Sequence, residues 1–142
     1  MKQQRAIGFE IKCVSNMIRR KLDTTFSSPE FDGLTGTQNA MMGYIMDHEE
    51  TQDIFQKDIE EEFNIRRSSA TVMLQGLEQR GYIRRTQIEK DARLKKIELT
   101  EKARKLQKRV RSEIDRFHEQ LEKDLSKEEK EEFFRLLDKI KS

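Results

Sequence analysis
The chain has 142 residues, of which 39% are charged and 34% hydrophobic. That length fits one domain with a modest core, and so small an apolar share forms a core only when gathered onto the faces of long amphipathic helices. A single cysteine, Cys13, excludes an intrachain disulfide, and the lack of a basic-plus-apolar leader or of an apolar run of roughly 20 residues points to a cytoplasmic protein with no membrane segment.

The net charge of +2 conceals a division along the chain. Residues 1–63 hold 7 basic against 12 acidic side chains, residues 64–111 hold 15 against 5, and residues 112–142 hold 7 against 10, giving −5, +10 and −3. A polyanion would be met in the middle segment.

Residues 5–26 place Ile7, Ile11, Val14, Ile18 and Leu22 on one face at helical spacing, with Phe9, Cys13 and Met17 as a second stripe. That much apolar circumference predicts a helix covered from two sides. The only proline lies in SSPEFDG (27–33), which reads as a loop. Thr35, with Gln38 three residues on, is a capping box for a second helix reaching about His48. DIFQKDIEEEFN (53–64) predicts a short acidic third helix with Ile59 and Phe63 at i, i+4, and a fourth follows at once in NIRRSSATVMLQGLEQRG (64–81). Two short helices joined so tightly suggest a helix-turn-helix.

Gly81 closes the fourth helix as the residue just past its cap. YIRRTQI (82–88) and LKKIELT (94–100) then read as strands around EKDAR (89–93), a charged hairpin too polar to pack. Helix, helix, hairpin is the layout of a winged helix. From Thr100 a long helix carries Ala103, Leu106, Val110, Ile114, Phe117 and Leu121 at spacings of 3 and 4. Ser126 begins the last helix with Glu129 as its capping-box partner, and Phe133, Leu136, Leu137 and Ile140 form its stripe. The expected fold class is mainly α with a small β-hairpin wing: one domain over 1–142, with a winged helix-turn-helix at about 34–100 and dimerisation helices at about 5–26 and 100–142.

The fourth helix has an apolar side of Ala70, Met73, Leu74 and Leu77, while Ser68, Thr71, Val72, Gln75 and Gln79 point the opposite way. Ser, Thr and Gln match the hydrogen-bonding edges of the major groove, and an outward Val72 suits a thymine methyl. Arg66 and Arg67 stand where orphan backbone N–H groups already favour a phosphate, and their forks fit a phosphate or a guanine edge. For an isolated helix, an ordinary solvated face is the simpler account. The short helix before it, the basic hairpin after it and the +10 segment make binding of double-stranded DNA the better one.

LTGTQ (34–38), NIRRSSATVMLQGLEQRGYIRR (64–85) and KDARLKKIELTEKA (90–103) resemble the multiple antibiotic resistance regulator (MarR) family of bacterial winged-helix transcription factors, over nearly the whole chain. The most specific part is Asp91 and Arg93 as a D-x-R, followed by Leu99, Thr100 and Glu101. The resemblance implies that Arg66 to Gln75, Ser69 included, is the major-groove helix. It implies that Arg93 is a wing-tip arginine for the minor groove with Asp91 holding its guanidinium, a narrow groove having enhanced negative potential. Arg85, Lys90 and Lys95 are expected to belong to the same DNA-binding set. Ala92 stands where the family often has another arginine, and Val72 replaces a frequently basic residue, so an operator unlike the family's better known ones is expected.

One winged helix makes too few contacts for tight, specific binding, so a homodimer on a pseudo-palindrome is expected, with half-sites about one helical turn (~10 bp) apart. The resemblance also implies repression, and release by a small phenolic or lipophilic effector, an oxidant or a metal. Met41, Met42, Tyr44 and Ile45 of NAMMGYIM (39–46), with Met17, are candidates for an effector pocket, although methionine at helical spacing is more often plain core. Cys13 lies broadly where the family's hydroperoxide regulators keep a reactive cysteine, but a lone cysteine on an apolar stripe is usually inert. His48 and His118 lack partners at metal-ligand spacing, and neither a metal nor a cofactor is expected. No catalytic motif is present, so an enzyme is not expected. The rival is a winged helix that binds an acidic protein partner, or a thiol-based redox regulator built on Cys13.

Overall fold
A computed structural model describes residues 5–88 and 91–142, with the side chains of all but 91 and 92. The elements run α1 (Ile7–Thr25), a 3-10 turn (Pro29–Phe31), α2 (Gly36–His48), α3 (Gln56–Phe63), α4 (Arg67–Gln79), β1 (Ile83–Ile88), β2 (Asp91–Leu99), α5 (Glu101–Glu122) and α6 (Lys127–Lys141). The chain is mainly helical with a two-stranded antiparallel hairpin, a winged helix-turn-helix. Between Val110 and Arg111 it divides into two compact units.

The first unit is built around α2, α4 and the hairpin. Thr35 and Gln38 form the expected capping box, each side chain accepting from the other's backbone N–H at 3.0 and 3.1 Å. Met41, Met42 and Ile45 of α2, Ile59 of α3, and Ala70, Leu74 and Leu77 of α4 are completely buried. Ile83, Ile97 and Leu99 close the core from the hairpin, and Ala103, Leu106 and Val110 from α5. One polar pair lies inside it: Gln107 donates to the Asn39 side-chain carbonyl at 3.4 Å. The 27–33 loop is more ordered than its composition suggests, because Phe31 is buried edge-on against Phe26 with ring centres 4.9 Å apart.

Three sequence expectations need correction. Helix α1 contains no buried residue; Ile7, Phe9, Ile11 and Val14 are exposed, and only farther along the helix are apolar side chains, Met17, Ile18 and Leu22, partly covered. The third helix starts at Gln56 rather than near residue 53, since the Asp58 carboxylate accepts from the Phe55 N–H at 2.8 Å and fixes the first turn there. The residues before it are extended, and the Ile54 carbonyl accepts from the Ile97 N–H at 2.7 Å, alongside β2.

The hairpin is also longer than expected, with Asp91 to Arg93 inside β2 rather than in a loop. Gln87 pairs with Lys95 and Ile88 with Asp91, so the register shifts between Gln87 and Ile88 and the extra residues bulge from β2. The charge of Asp91 and Arg93 does not end the strand, which continues through them.

The second unit comprises the rest of α5 and α6. Ser126 and Glu129 form the expected capping box at 3.0 and 2.9 Å. No residue of α6 is buried, and Phe133 and Phe134 remain 54% and 55% exposed.

Candidate nucleic-acid interface
The turn between α3 and α4 depends on Asn64, which sits in the left-handed region at φ 48°. Asparagine tolerates that conformation better than most residues. It lets Ile65 N–H reach the Glu60 carbonyl at 3.1 Å and Asn64 N–H the Glu61 carbonyl at 3.3 Å, which satisfies the last carbonyls of α3. Arg66 is extended and caps α4. At the far end Gly81, at φ 80°, makes the same pair of bonds, with Tyr82 N–H to Leu77 at 2.9 Å and its own N–H to Glu78 at 3.1 Å.

Between these ends α4 presents Ala70, Leu74 and Leu77 inward, with Met73 half-buried, and Ser68, Val72, Gln75 and Gln79 outward. Arg66 and Arg67 are exposed, and Ser69 is half-buried. Thr71 differs from the sequence expectation. Its hydroxyl donates to the Arg67 carbonyl and accepts from the Gln56 amide, both at 2.8 Å. Its only proton is therefore committed inside the protein, and Thr71 ties α3 to α4 instead of offering a donor outward. Gln56 carried no sequence signal for this role, because its partner is 15 positions away.

The wing meets this helix pair across a cleft of about 590 Å³, lined by Phe55, Gln56, Lys57, Glu60, Arg67, Thr71, Arg85, Arg93, Leu94 and Lys95. Five of those side chains are cationic and one is acidic. Among the described cations that the sequence singled out, Arg85 is the most sheltered: its side chain is 18% exposed, with Glu78 3.9 Å away. Its Nε and one terminal nitrogen are buried without a hydrogen-bond partner among the described residues. Sheltered guanidinium donors left unpaired are costly, and an anion in the cleft would satisfy them. Lys96, by contrast, pairs with Glu98 at 2.9 Å and Asp53 at 3.8 Å, and its hydrogen bond holds the Glu98 carboxyl below the usual range.

Arg93 and Lys95 are exposed on the wing. Lys90, and the side-chain role expected of Asp91, lie outside the described residues.

The residues considered for an effector pocket fall elsewhere. Met41, Met42 and Ile45 are fully buried packing residues, and Met17 is half-buried. Tyr44 stacks on His48 at 4.3 Å and meets Phe63 edge-on at 6.2 Å. None of the five lines this cleft or a second one of about 400 Å³ bordered by Glu49, Ile54, Lys96, Glu98 and Arg104. Cys13 is exposed, and His48 uses Nδ1 on the Tyr44 carbonyl at 2.8 Å. Among the described residues no cluster of metal-ligating side chains occurs, and no helix is long and apolar enough to cross a membrane.

A second group that the sequence did not reveal fastens the 27–33 loop to the ends of α4 and α5. The Tyr82 hydroxyl donates to the Asp32 carboxylate at 2.5 Å, Arg80 pairs with the same carboxylate at 3.0 Å, and Lys102 lies 4.4 Å from the centre of the Tyr82 ring. Burial and the Asp32 hydrogen bond push the Tyr82 phenol up to about 12, and that bond holds the Asp32 carboxyl below its usual range.

A helix pair with an outward polar strip, followed by a basic hairpin, defines the winged helix-turn-helix class. The MarR family model matches residues 32–94. The chain is 33% identical to the transcription regulator MarR from Oenococcus oeni PSU-1, covering 96% of this chain and 100% of that one, with a TM-score of 0.79. The DNA complex of MepR from S. aureus is 26% identical over 96% of both chains, with a TM-score of 0.85. A MarR protein from Peptoclostridium difficile, 20% identical, shares the fold with a TM-score of 0.83 over 99% of this chain and 89% of that one. Among curated proteins, none matches the sequence significantly. The chain belongs to the MarR family, whose members are transcription regulators rather than enzymes.

Proposed function
We propose that this chain is a cytoplasmic regulator that binds a pseudo-palindromic operator as a homodimer, represses transcription there, and is released by a small-molecule effector. The observation that carries the reading is the outward strip of α4 beside a cleft lined by five cations. The strip supplies donors and acceptors for base edges in the major groove, while Arg67, Arg85 and Lys95 bear on the phosphates that flank it. Arg93, on the wing, serves the minor groove. MepR, 26% identical, has been crystallised with DNA, which supports the same partner here.

The dimer is supported by the apolar side chains left open in each unit. Ile7, Phe9, Ile11 and Val14 of α1 are exposed, as are Phe133, Phe134, Leu136 and Ile140 of α6. Apolar surface on this scale marks an interface. Two copies related by a twofold axis would present two α4 helices to successive turns of one groove.

Selecting bound duplexes from a random pool tests the reading directly. A recovered sequence with inverted half-sites about 10 bp apart, bound with a steep log-log dependence on salt, is the expected result. Equal binding to all duplexes, with tight salt-dependent binding to an acidic protein surface instead, would favour the protein-interaction alternative.

A further inference from the structure
Val72 is the one exposed apolar side chain of α4. It is 70% exposed, while Ala70 and Leu74, roughly opposite on the helix at about 100° per residue, are completely buried. Ser68, Gln75 and Gln79 project within about 60° of its direction, so Val72 crowns the outward strip. Every other exposed residue of the helix is polar or charged: Arg67, Ser68, Gln75, Glu78 and Gln79. Branching at Cβ makes valine a weaker helix former than alanine, so stability does not account for it at a solvated position.

The apolar group that the major groove displays at this distance is the C5 methyl of thymine. We infer that Val72 reads a thymine in each operator half-site, its two methyls closing over the base methyl. Ser68 one turn before and Gln75 one turn after hydrogen-bond the neighbouring pairs. The short side chain demands close approach of the helix backbone, which the small, exposed Ser68 one turn before permits. The inference rests on the DNA-reading function proposed above and narrows it to a named base at a named residue.

The test uses the full chain and the selected operator, with each thymine replaced in turn by deoxyuridine. That replacement keeps the O4 acceptor and the base pairing and removes only the methyl. One thymine per half-site should weaken binding by the parent about fourfold when demethylated, the worth of one buried methyl group. Val72→Ala, which favours the helix and should melt no lower than the parent, should respond clearly less to the same change, its single methyl lying farther from the base. If each replacement affects parent and Val72→Ala alike, Val72 does not read thymine, while sequence reading by its neighbours stands. If the pool yields no preferred sequence, the DNA-reading function falls, and this assignment with it.

Discussion
Gln75 and Arg93 should fail in different ways when truncated, because one projects from the outward strip of α4 and the other lies on the wing. Gln75→Ala is expected to change preference at one base pair by ~1 to 3 kcal/mol, whereas Arg93→Ala should weaken all duplexes in parallel. Competition between selected and random DNA separates the two; equal losses on both for Gln75→Ala would end its base-reading role. The Tyr82 and Asp32 pair gives a second residue-level expectation. Asp32 has a lowered carboxyl, so in acid the folded chain binds fewer protons there than the unfolded chain. Its contribution is complete above an unfolded pKa of about 3.9 and drains away as pH falls through the lower folded value. Tyr82, raised to about 12, contributes below an unfolded pKa of about 10 and loses that contribution as pH climbs toward 12. Tyr82→Phe should therefore lower the melting temperature at pH 7, and the gap to the parent should narrow by pH 3; a gap unchanged across that range would show that the carboxylate is not what the hydroxyl supports. The outward direction of Ser68, Val72 and Gln75 was legible in the sequence because helical period alone sets it. The inward use of the Thr71 hydroxyl was not, since Gln56 reaches it only after the chain has turned.

Among the elements, α3 and α4 end by the same device, a left-handed residue at Asn64 for the first and at Gly81 for the second. A methyl group built on Gly81 would meet nothing within 4 Å, so Gly81→Ala isolates the backbone cost. It should lower stability by about 1 to 2 kcal/mol, measured by denaturant unfolding at fixed protein concentration, while a loss several-fold larger would reveal packing rather than strain. Capping boxes at Thr35 and Ser126 and the glycine stop at residue 81 were readable because each is a local rule acting within four residues. The start of α3 and the length of β2 were not. The first combines the Asp58 cap on Phe55 with an Ile54 carbonyl drawn to a strand more than 40 positions later, and only the cap is local; the second follows from backbone pairing that leaves no apolar alternation to read.

At the level of the molecule, charge and apolar surface are sorted into different places. The +10 segment holds α4 and the wing, while α1 and α6 keep apolar side chains in the open. Phe133→Glu combined with Phe134→Glu should convert the proposed dimer to a monomer in sedimentation at micromolar concentration and abolish tight operator binding. A double variant that still sediments as a dimer would remove α6 from the interface. Sequence periodicity had marked these stripes as apolar, but whether such a stripe faces its own chain depends on contacts that no local pattern encodes, and α1, expected to be covered from two sides, is the clearest case.

The bond between Gln56 and Thr71 has a consequence for how such a regulator changes its target. That bond, the Asn64 turn and the Gly81 closure use backbone groups and sheltered side chains, and none of these ties draws on positions 68, 72, 75 or 79. The four behave like interchangeable type set in a fixed frame. Exchanging them as a set for those of another regulator should retarget the protein to a different operator and leave its melting curve almost where it was.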